Sequence, residues 1–180
     1  DHVMAGNERI GRTAARYLVE RRGHARLGFL VSGTSYPAFR IRQRAFQQYG
    51  ESKGVEVAAV HAEPPGSTRD AAGRLGVLER EAEALVDRLL ATDPMPTGLF
   101  IPYDLLTALV HRHLQKRGVR VGEDLEIVSC NNQPTCLAGL TPRPATIDIC
   151  AETIGTHAVE QLLWRIKYPE MHNNVQVLVE

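Results

Sequence analysis

The stretch LGFLVSGTS, residues 27–35, joins a short apolar run to a polar loop and decides how the rest of the chain is interpreted. Residues 27–31 are apolar without alternation, which is typical of a strand buried on both faces of a parallel sheet. Small polar residues follow at once, where such a strand ends and a helix begins. Ligands of open parallel sheets bind outside the carboxyl ends of the strands. The stretch therefore predicts a parallel strand and a candidate binding edge.

Similar apolar runs recur along the 180 residues and alternate with stretches of helical period. The runs predicted as strands are Leu27–Val31, Val55–Val60, Gly98–Ile101, Leu125–Ser129, Ala145–Ile149 and Val175–Val179. The stretches predicted as helices are Glu8–Arg21, Phe39–Lys53, Ala71–Ala91, Asp104–Arg117 and Glu152–Tyr168. This alternation predicts an α/β fold, doubly wound, in which a mostly parallel sheet carries helices on both faces.

Composition excludes several classes of protein. Lys+Arg and Asp+Glu both number 21, so the net charge is zero and we expect no nucleic-acid contact by this stretch itself. No apolar run approaches the length of a membrane-spanning helix, so we expect no membrane contact. The cysteines Cys130, Cys136 and Cys150 are odd in number and lack C-x-x-C spacing, which favours a reducing cytoplasm. We expect a cytoplasmic protein with no cofactor and no metal.

Polar clusters follow three of the predicted strands, at residues 32–35, 103–104 and 131–133. Because the carboxyl ends of parallel strands meet at one edge, these clusters are expected to lie close together and to suit a hydroxyl-rich ligand. The alternative is structural, since turns and helix caps use the same residue types and Asp104 is a good N-cap. Both interpretations stay open at this point.

Arg42 is the exceptional residue of the helix that follows the first of these clusters. At about 100° per residue it falls inside the apolar arc, whereas the other polar residues occupy the opposite half. A guanidinium keeps its proton, so a buried one needs a carboxylate partner or ligand oxygens. One interpretation is that Arg42 pairs with a core carboxylate such as Asp148 or extends to solvent. The other is that Arg42 binds a ligand.

The helix Asp104–Arg117 is too apolar for a helix that covers only one sheet face. Its apolar side chains spread over about half of the circumference, so we expect a second contact surface. A subunit partner is the natural candidate. The sequence therefore predicts a homodimer interface made by Leu106, Leu109, Val110 and His113.

Several motifs occur in a fixed order along nearly the whole chain. They are D-H-x-x-A-G at 1–6, A-A-R-Y-L at 14–18, G-H at 23–24, R-x-x-A-F at 42–46, P-T-G-L-F at 96–100, G-V-R-V-G-E-D-L-E-I-V-S at 118–129 and L-T-P-x-x-A-T-I at 140–147. In this order and spacing they resemble the effector-binding core of the LacI/GalR family of bacterial transcription repressors, which has the type I periplasmic-binding-protein fold. Residues 155–163 similarly resemble the family's late helix, and Val175–Val179 its closing strand.

The resemblance implies that residues 1–180 form part of an effector-binding and dimerisation domain. They would be mainly its second lobe, with residues 151–168 resembling a helix of the first lobe. The N-terminal helix-turn-helix and most of the first lobe would be absent, so DNA would be bound only through the missing N-terminal domain. Family members close two lobes around a small molecule and thereby change the spacing of paired DNA-reading heads.

The family's ligand residues carry over unevenly. Arg42 stands at the position of the arginine that forks the ligand, Asn131 stands where many members have an aspartate, and Tyr103 replaces an asparagine. An amide at 131 still binds sugar hydroxyls but disfavours a cationic group, while Tyr103 adds an aromatic face for a sugar ring. With Thr34 and Asn132, these residues are the candidate site, and the expected ligand is a neutral sugar.

Three functions are weighed on this basis. The first is a small-molecule sensing domain of a LacI-family regulator without enzymatic activity, and the second is a periplasmic sugar-binding protein of a transport system. The third is an enzyme that uses Cys130 or Cys150 with a histidine, but no spacing here predicts the base that a thiolate nucleophile needs. The chain also lacks the G-x-S-x-G, G-x-x-x-x-G-K-[ST] and H-E-x-x-H motifs, which favours the first function.

Overall fold

The computed structural model describes residues 1–32, 36–62 and 71–180. The strands are β1 His2–Ala5, β2 Arg26–Val31, β3 Glu56–His61, β4 Gly98–Phe100, β5 Glu126–Asn131, β6 Ala145–Asp148 and β7 Gln176–Val179. The helices are α1 Asn7–Arg16, α2 Pro37–Ser52, α3 Ala71–Leu90, α4 Asp104–Lys116, α5 Pro134–Leu137 and α6 Ala151–Lys167. A turn of π-helix, Tyr17–Arg21, continues α1.

The main sheet has five parallel strands in the order β3-β2-β4-β5-β6. From β2 the chain moves outward to β3 and then returns to place β4 on the other side of β2. The strand order therefore reverses between β2 and β4, and a doubly wound sheet opens its ligand crevice at such a point. The predicted parallel α/β sheet is confirmed.

Helices cover both faces of this sheet, as the sequence predicts. Leu27, Phe29 and Val31 on β2 pack in one apolar cluster with residues of α1 and α2. Leu30, on the opposite face of the same strand, packs with residues of α3 and α4. The continuous apolar run of β2 is thus explained by burial on both sides.

The helices α1 and α2 cross closely at a glycine. A β-carbon on Gly11 would lie 2.2 Å from the carbonyl oxygen of Arg42, so any larger residue would push α2 away. This close approach places Asn7, at the start of α1, within reach of the Arg42 side chain. The packing of the two helices therefore positions one end of the candidate site.

The structure corrects the expected dimer surface on α4. Leu106, Leu109, Val110 and His113 are all buried inside the chain. The second contact surface that the broad apolar arc requires is supplied by α3, whose Ala82, Leu85 and Leu89 share the same apolar cluster. These four residues are therefore core residues of this chain.

The strands β1 and β7 pair in parallel as a separate two-stranded sheet, on which α6 packs. No residue of α6 is buried, and four of its large apolar side chains are between 57% and 67% exposed. These side chains, the open face of α6, are Val159, Leu162, Leu163 and Ile166. In the part of the chain that the structure describes, no helix combines the length and apolarity needed to cross a bilayer.

The amino ends of the sheet strands are joined by Glu126, the first residue of β5. Its carboxylate accepts hydrogen bonds from the Tyr17 hydroxyl at 3.1 Å and from Arg22 Nε at 2.6 Å, and it lies 3.2 Å from His24 Nε2. Burial alone would raise the pKa of Glu126, but the hydrogen bonds from Arg22, His24 and Tyr17 lower it on balance. The carboxylate is therefore stabilised in its ionised form and ties the end of α1 to the sheet.

We expect Glu126→Gln to lower the free energy of unfolding by about 1 kcal/mol at neutral pH. Because the pKa of Glu126 is lowered by folding, its contribution is present above the unfolded value of about 4.3 and is lost as the pH falls through the folded value. Urea unfolding at several pH values measures this. The difference between the two proteins should vanish in acid, and a difference that persists there would contradict the ionic origin.

Candidate functional site

Arg42 lies at the carboxyl end of the sheet, on α2, with its side chain only 5% exposed. Its Nε donates to Asn7 Oδ1 at 2.9 Å, and its Nη1 donates to the carbonyl oxygen of Pro102 at 2.7 Å and to Cys130 Sγ at 3.3 Å. Pro102 follows β4 and Cys130 lies on β5. Arg42 therefore contacts the chain beside the point where the strand order reverses.

None of these partners is a carboxylate. Asp148, which the sequence offered as a structural partner, instead accepts hydrogen bonds from Asn132 Nδ2 and from the backbone N–H of Cys150. Burial lowers the pKa of Arg42 from its usual value, which reflects the cost of keeping this cation away from water. Within the described ranges, Arg42 thus forms no ion pair, and its Nη2 makes no hydrogen bond.

Aromatic rings line the same end of the sheet. Phe39, one turn before Arg42, stacks on Tyr103 with ring centroids 5.2 Å apart and an interplanar angle of 5°. The Cζ atom of Arg42 lies 5.8 Å from the centroid of the Phe39 ring, and Tyr36 meets the same ring edge-on. One face of Tyr103 is therefore covered by Phe39, which leaves Tyr36, 61% exposed, as the most open ring of this cluster.

The Tyr103 hydroxyl joins β2 to β4 across the reversal point. It is hydrogen bonded to the Ser32 hydroxyl, 2.8 Å away, just after β2. Burial raises the pKa of Tyr103 to about 12, so its hydroxyl keeps its proton at neutral pH. Tyr103 therefore offers a neutral hydroxyl at the edge where a ligand of this fold would bind.

Asn131 and Asn132 end β5 in a conformation that most residues avoid. Their φ angles are 108° and 57°, in the positive region that asparagine tolerates better than other side chains. The Asn132 amide is occupied by Asp148 and by Arg143, whose Nη2 donates to Asn132 Oδ1 at 3.3 Å. The Asn131 side chain makes no hydrogen bond to the described residues. Of the two, Asn131 therefore has the amide whose hydrogen-bonding capacity the described residues do not use.

Asp104 holds the loop that contains these asparagines. Its fully buried carboxylate accepts from the Ser129 hydroxyl, from the backbone N–H of Gln133 at 2.6 Å and from the Thr146 hydroxyl at 3.3 Å. The sequence treats Asp104 as a helix cap, but α4 shows no side-chain capping bond from its N-cap residue, Tyr103. Asp104 therefore fixes the turn after β5 to the start of α4.

Replacing Asp104 tests this positioning role. We expect Asp104→Leu to lower the free energy of unfolding by about 3 kcal/mol, because it leaves the Gln133 N–H without an acceptor and removes a partner of the Ser129 and Thr146 hydroxyls. Asp104→Asn keeps one acceptor oxygen and should cost about 1 kcal/mol. Chemical denaturation measures both variants, and equal stability of the leucine variant and the parent chain would show that the contacts are dispensable.

The structure brings together Arg42 and Tyr103 through Phe39, and it places Asn131 next to Cys130, which contacts Arg42. Thr34, a further predicted ligand residue, lies outside the described residues. Sequence reasoning missed Asn7 and Phe39. Asn7 gave no signal, because its contact depends on how α1 crosses α2. Phe39 could have been found from its position, because it lies one turn before Arg42 on the same helix and therefore on the same face.

Comparison with known proteins identifies the type of domain. Residues 15–180 match a family model described as a periplasmic binding protein-like domain. The chain belongs to this family. The HTH-type transcriptional repressors PurR of Aliivibrio salmonicida and Vibrio cholerae are 26% and 24% identical to it over 168 and 176 residues, which are 93% and 97% of the chain. These alignments cover 46% and 48% of the repressors, so the chain spans about half the length of the curated relatives it matches.

Solved structures of periplasmic binding protein-like domains superpose closely on the chain. A putative LacI transcriptional regulator from Bacillus cereus subsp. cytotoxis gives a TM-score of 0.78 at 20% identity. The alignment covers 98% of this chain and 58% of the regulator's chain. A LacI family regulator from Enterococcus faecium with bound ribose gives a TM-score of 0.75 at 18% identity. This alignment covers 97% of this chain and 59% of the regulator's chain. The type I periplasmic-binding-protein fold and the predicted resemblance to LacI-family effector-binding domains are confirmed.

Proposed function

We propose that this chain is the small-molecule-sensing part of a cytoplasmic transcription regulator of the LacI/GalR type. The ligand is a sugar that binds at the carboxyl end of the five-stranded sheet, and DNA is bound through a separate N-terminal helix-turn-helix. One observation carries this proposal. A buried arginine without a carboxylate partner among the described residues lies beside the reversal of the strand order, where it contacts the start of α1 and the ends of β4 and β5.

The arrangement of these groups suits a polyhydroxylated molecule. The Asn131 amide both donates and accepts, the Tyr103 hydroxyl is neutral, and Arg42 retains donor capacity at Nη2. The exposed aromatic ring of Tyr36 adds an apolar face on which a sugar ring can stack. The bound ribose of the Enterococcus faecium structure and the D-xylulofuranose of a related structure from Alkaliphilus metalliredigens support a sugar as the first ligand class to test.

The chain supplies mainly the second of two lobes in this proposal. The five-stranded sheet forms that lobe, whereas β1, β7 and α6 stand apart from it and belong to the connection and to the first lobe. The open face of α6, which carries four exposed large apolar residues, is then the surface on which the rest of the first lobe packs. Ligand binding between the lobes changes their spacing, and two copies of the protein transmit the change to DNA.

A thermal-shift screen of the complete gene product tests the proposal. Pentoses, hexoses and glycosides are the probes, and at least one should raise the melting temperature in a concentration-dependent way. The hit should also change the affinity for operator DNA when the two are measured together. If none of the sugars tested raises the melting temperature, the sugar-sensing role is overturned.

The relatives also bear on the choice between a regulator and a secreted binding protein. The curated relatives that match nearly the whole chain are repressors. Their helix-turn-helix heads predict that the gene encodes such a head upstream of residue 1. A signal peptide in that position would instead favour the transport protein.

A further inference from the structure

The charge of Arg42 is not balanced within the described part of the chain. Its contacts are the amide oxygen of Asn7, the carbonyl oxygen of Pro102 and the sulfur of Cys130. The first two are neutral acceptors. An arginine keeps its proton even when it is buried, so its positive charge has to be compensated by a partner or borne at a cost.

Cys130 does not supply the missing negative charge. Burial raises the pKa of its thiol to about 11, although the neighbouring Arg42 opposes that rise. The thiol therefore stays protonated at neutral pH and contacts Nη1 of Arg42 as a weak neutral acceptor. The contact fills space beside the cation without neutralising it.

Carboxylates on the neighbouring elements are engaged elsewhere. Asp104 accepts from Ser129, Gln133 and Thr146, and Asp148 accepts from Asn132 and from the N–H of Cys150. The hydrogen bonds to Asp148 lower its pKa and hold its ionised form on the β6 side of the sheet. Among the residues that the structure describes, Arg42 thus has no carboxylate in hydrogen-bond contact.

The residue at position 131 accentuates this imbalance. An aspartate there would add a negative charge at the residue that follows Cys130, whereas the asparagine contributes only a dipole. Neutral sugars gain little from an uncompensated cation. An oxyanion, in contrast, forms a charge-assisted hydrogen bond with the guanidinium. Because Arg42 is already buried, that bond does not have to displace water from the guanidinium.

We propose that the natural ligand is a sugar that carries an acidic group, either a carboxylate or a phosphate, and that this group pairs with Arg42. The inference rests on the proposed sugar-sensing function and names the chemical class of the ligand. It refines the neutral sugar expected from the sequence. The guanidinium Nη2, which has no partner in the described residues, is the donor left for the oxyanion.

Isothermal titration calorimetry of the complete gene product at neutral pH tests this. The probes are D-glucose against D-gluconate, D-glucuronate and D-glucose 6-phosphate, and D-ribose against D-ribonate and D-ribose 5-phosphate. We expect an acidic form to bind at least about 10-fold more tightly than its neutral counterpart. Comparison of the affinities for the sugar carboxylates with those for the sugar phosphates shows which of the two acidic groups the site prefers.

A charge-restoring variant sharpens the test. Asn131→Asp adds a negative charge at the residue that follows Cys130, whose sulfur contacts Arg42, so the preference for acidic sugars should fall by about 10-fold or more and neutral sugars should gain. Gln48→Glu adds the same charge on the exposed face of α2 and is the matched control, which should leave the preference unchanged.

The outcomes separate the inference from the function on which it rests. Tighter binding of an acidic sugar, reversed by Asn131→Asp and not by Gln48→Glu, supports the inference. Equal or tighter binding of neutral sugars overturns it but leaves the sugar-sensing function standing. Binding of no sugar in either class overturns both.

Discussion

Arg42→Met is expected to weaken binding of the sugar ligand by at least about 100-fold while the protein remains folded. The substitution removes the donors that hold the ligand, but it also removes a buried cation that has no carboxylate partner among the described residues. Methionine removes the cost of burying a cation, but it leaves the Asn7 Oδ1 and Pro102 carbonyl acceptors without their donor. The two effects oppose each other, so we expect the free energy of unfolding to fall by no more than about 2 kcal/mol.

Arg42→Lys is the control for this prediction. Lysine keeps the positive charge but cannot contact Asn7, Pro102 and a ligand at once, because it lacks the planar fork. Its affinity should fall between those of the parent protein and the methionine variant. Calorimetric titration and chemical denaturation measure the two properties separately. A methionine variant that binds the ligand normally would remove Arg42 from the site.

Leu109→Glu is expected to lower the free energy of unfolding by about 4 kcal/mol. Leu109 is 8% exposed in the cluster between α3, α4 and the sheet, so the new carboxylate would be buried without a partner. Leu105→Glu, at a site on the same helix that is 39% exposed, should change stability by no more than about 0.5 kcal/mol.

Denaturant unfolding of the two variants decides between a core and an interface. Severe destabilisation by Leu109→Glu alone agrees with the structure. If Leu109→Glu instead left the unfolding free energy unchanged and lowered the mass seen in sedimentation, the original prediction of a dimer surface at Leu109 would be restored. The homodimer itself, implied by the family resemblance, stays a prediction.

The sheet could be predicted from the sequence because its signal is local. Continuous apolar runs such as Leu27–Val31 mark strands that are buried on both faces, and the structure confirms every predicted run within a few residues. The strand β1 was missed because its four residues are half exposed and gain their partner, β7, from the far end of the chain.

The candidate site could be predicted only in part. The position of Arg42 in an apolar arc correctly predicted its burial, since helical period alone decides which way a side chain faces. Its partner Asn7 could not be predicted, because the contact exists only where Gly11 lets two helices cross closely. The breadth of the apolar arc on α4 was interpreted as a subunit contact because the sequence does not reveal that α3 packs beside it.

Hydrogen exchange of the complete gene product, with and without the tightest sugar from the screen, tests the central claim most directly. The claim is that a small molecule binds at the carboxyl ends of β2, β4 and β5. We predict slower exchange in residues 36–42, 101–105 and 130–133 on ligand addition, with no change in the amino-end segments 22–26 and 118–124. Protection confined to those amino-end segments, or no protection in any of the three carboxyl-end segments, would contradict the account.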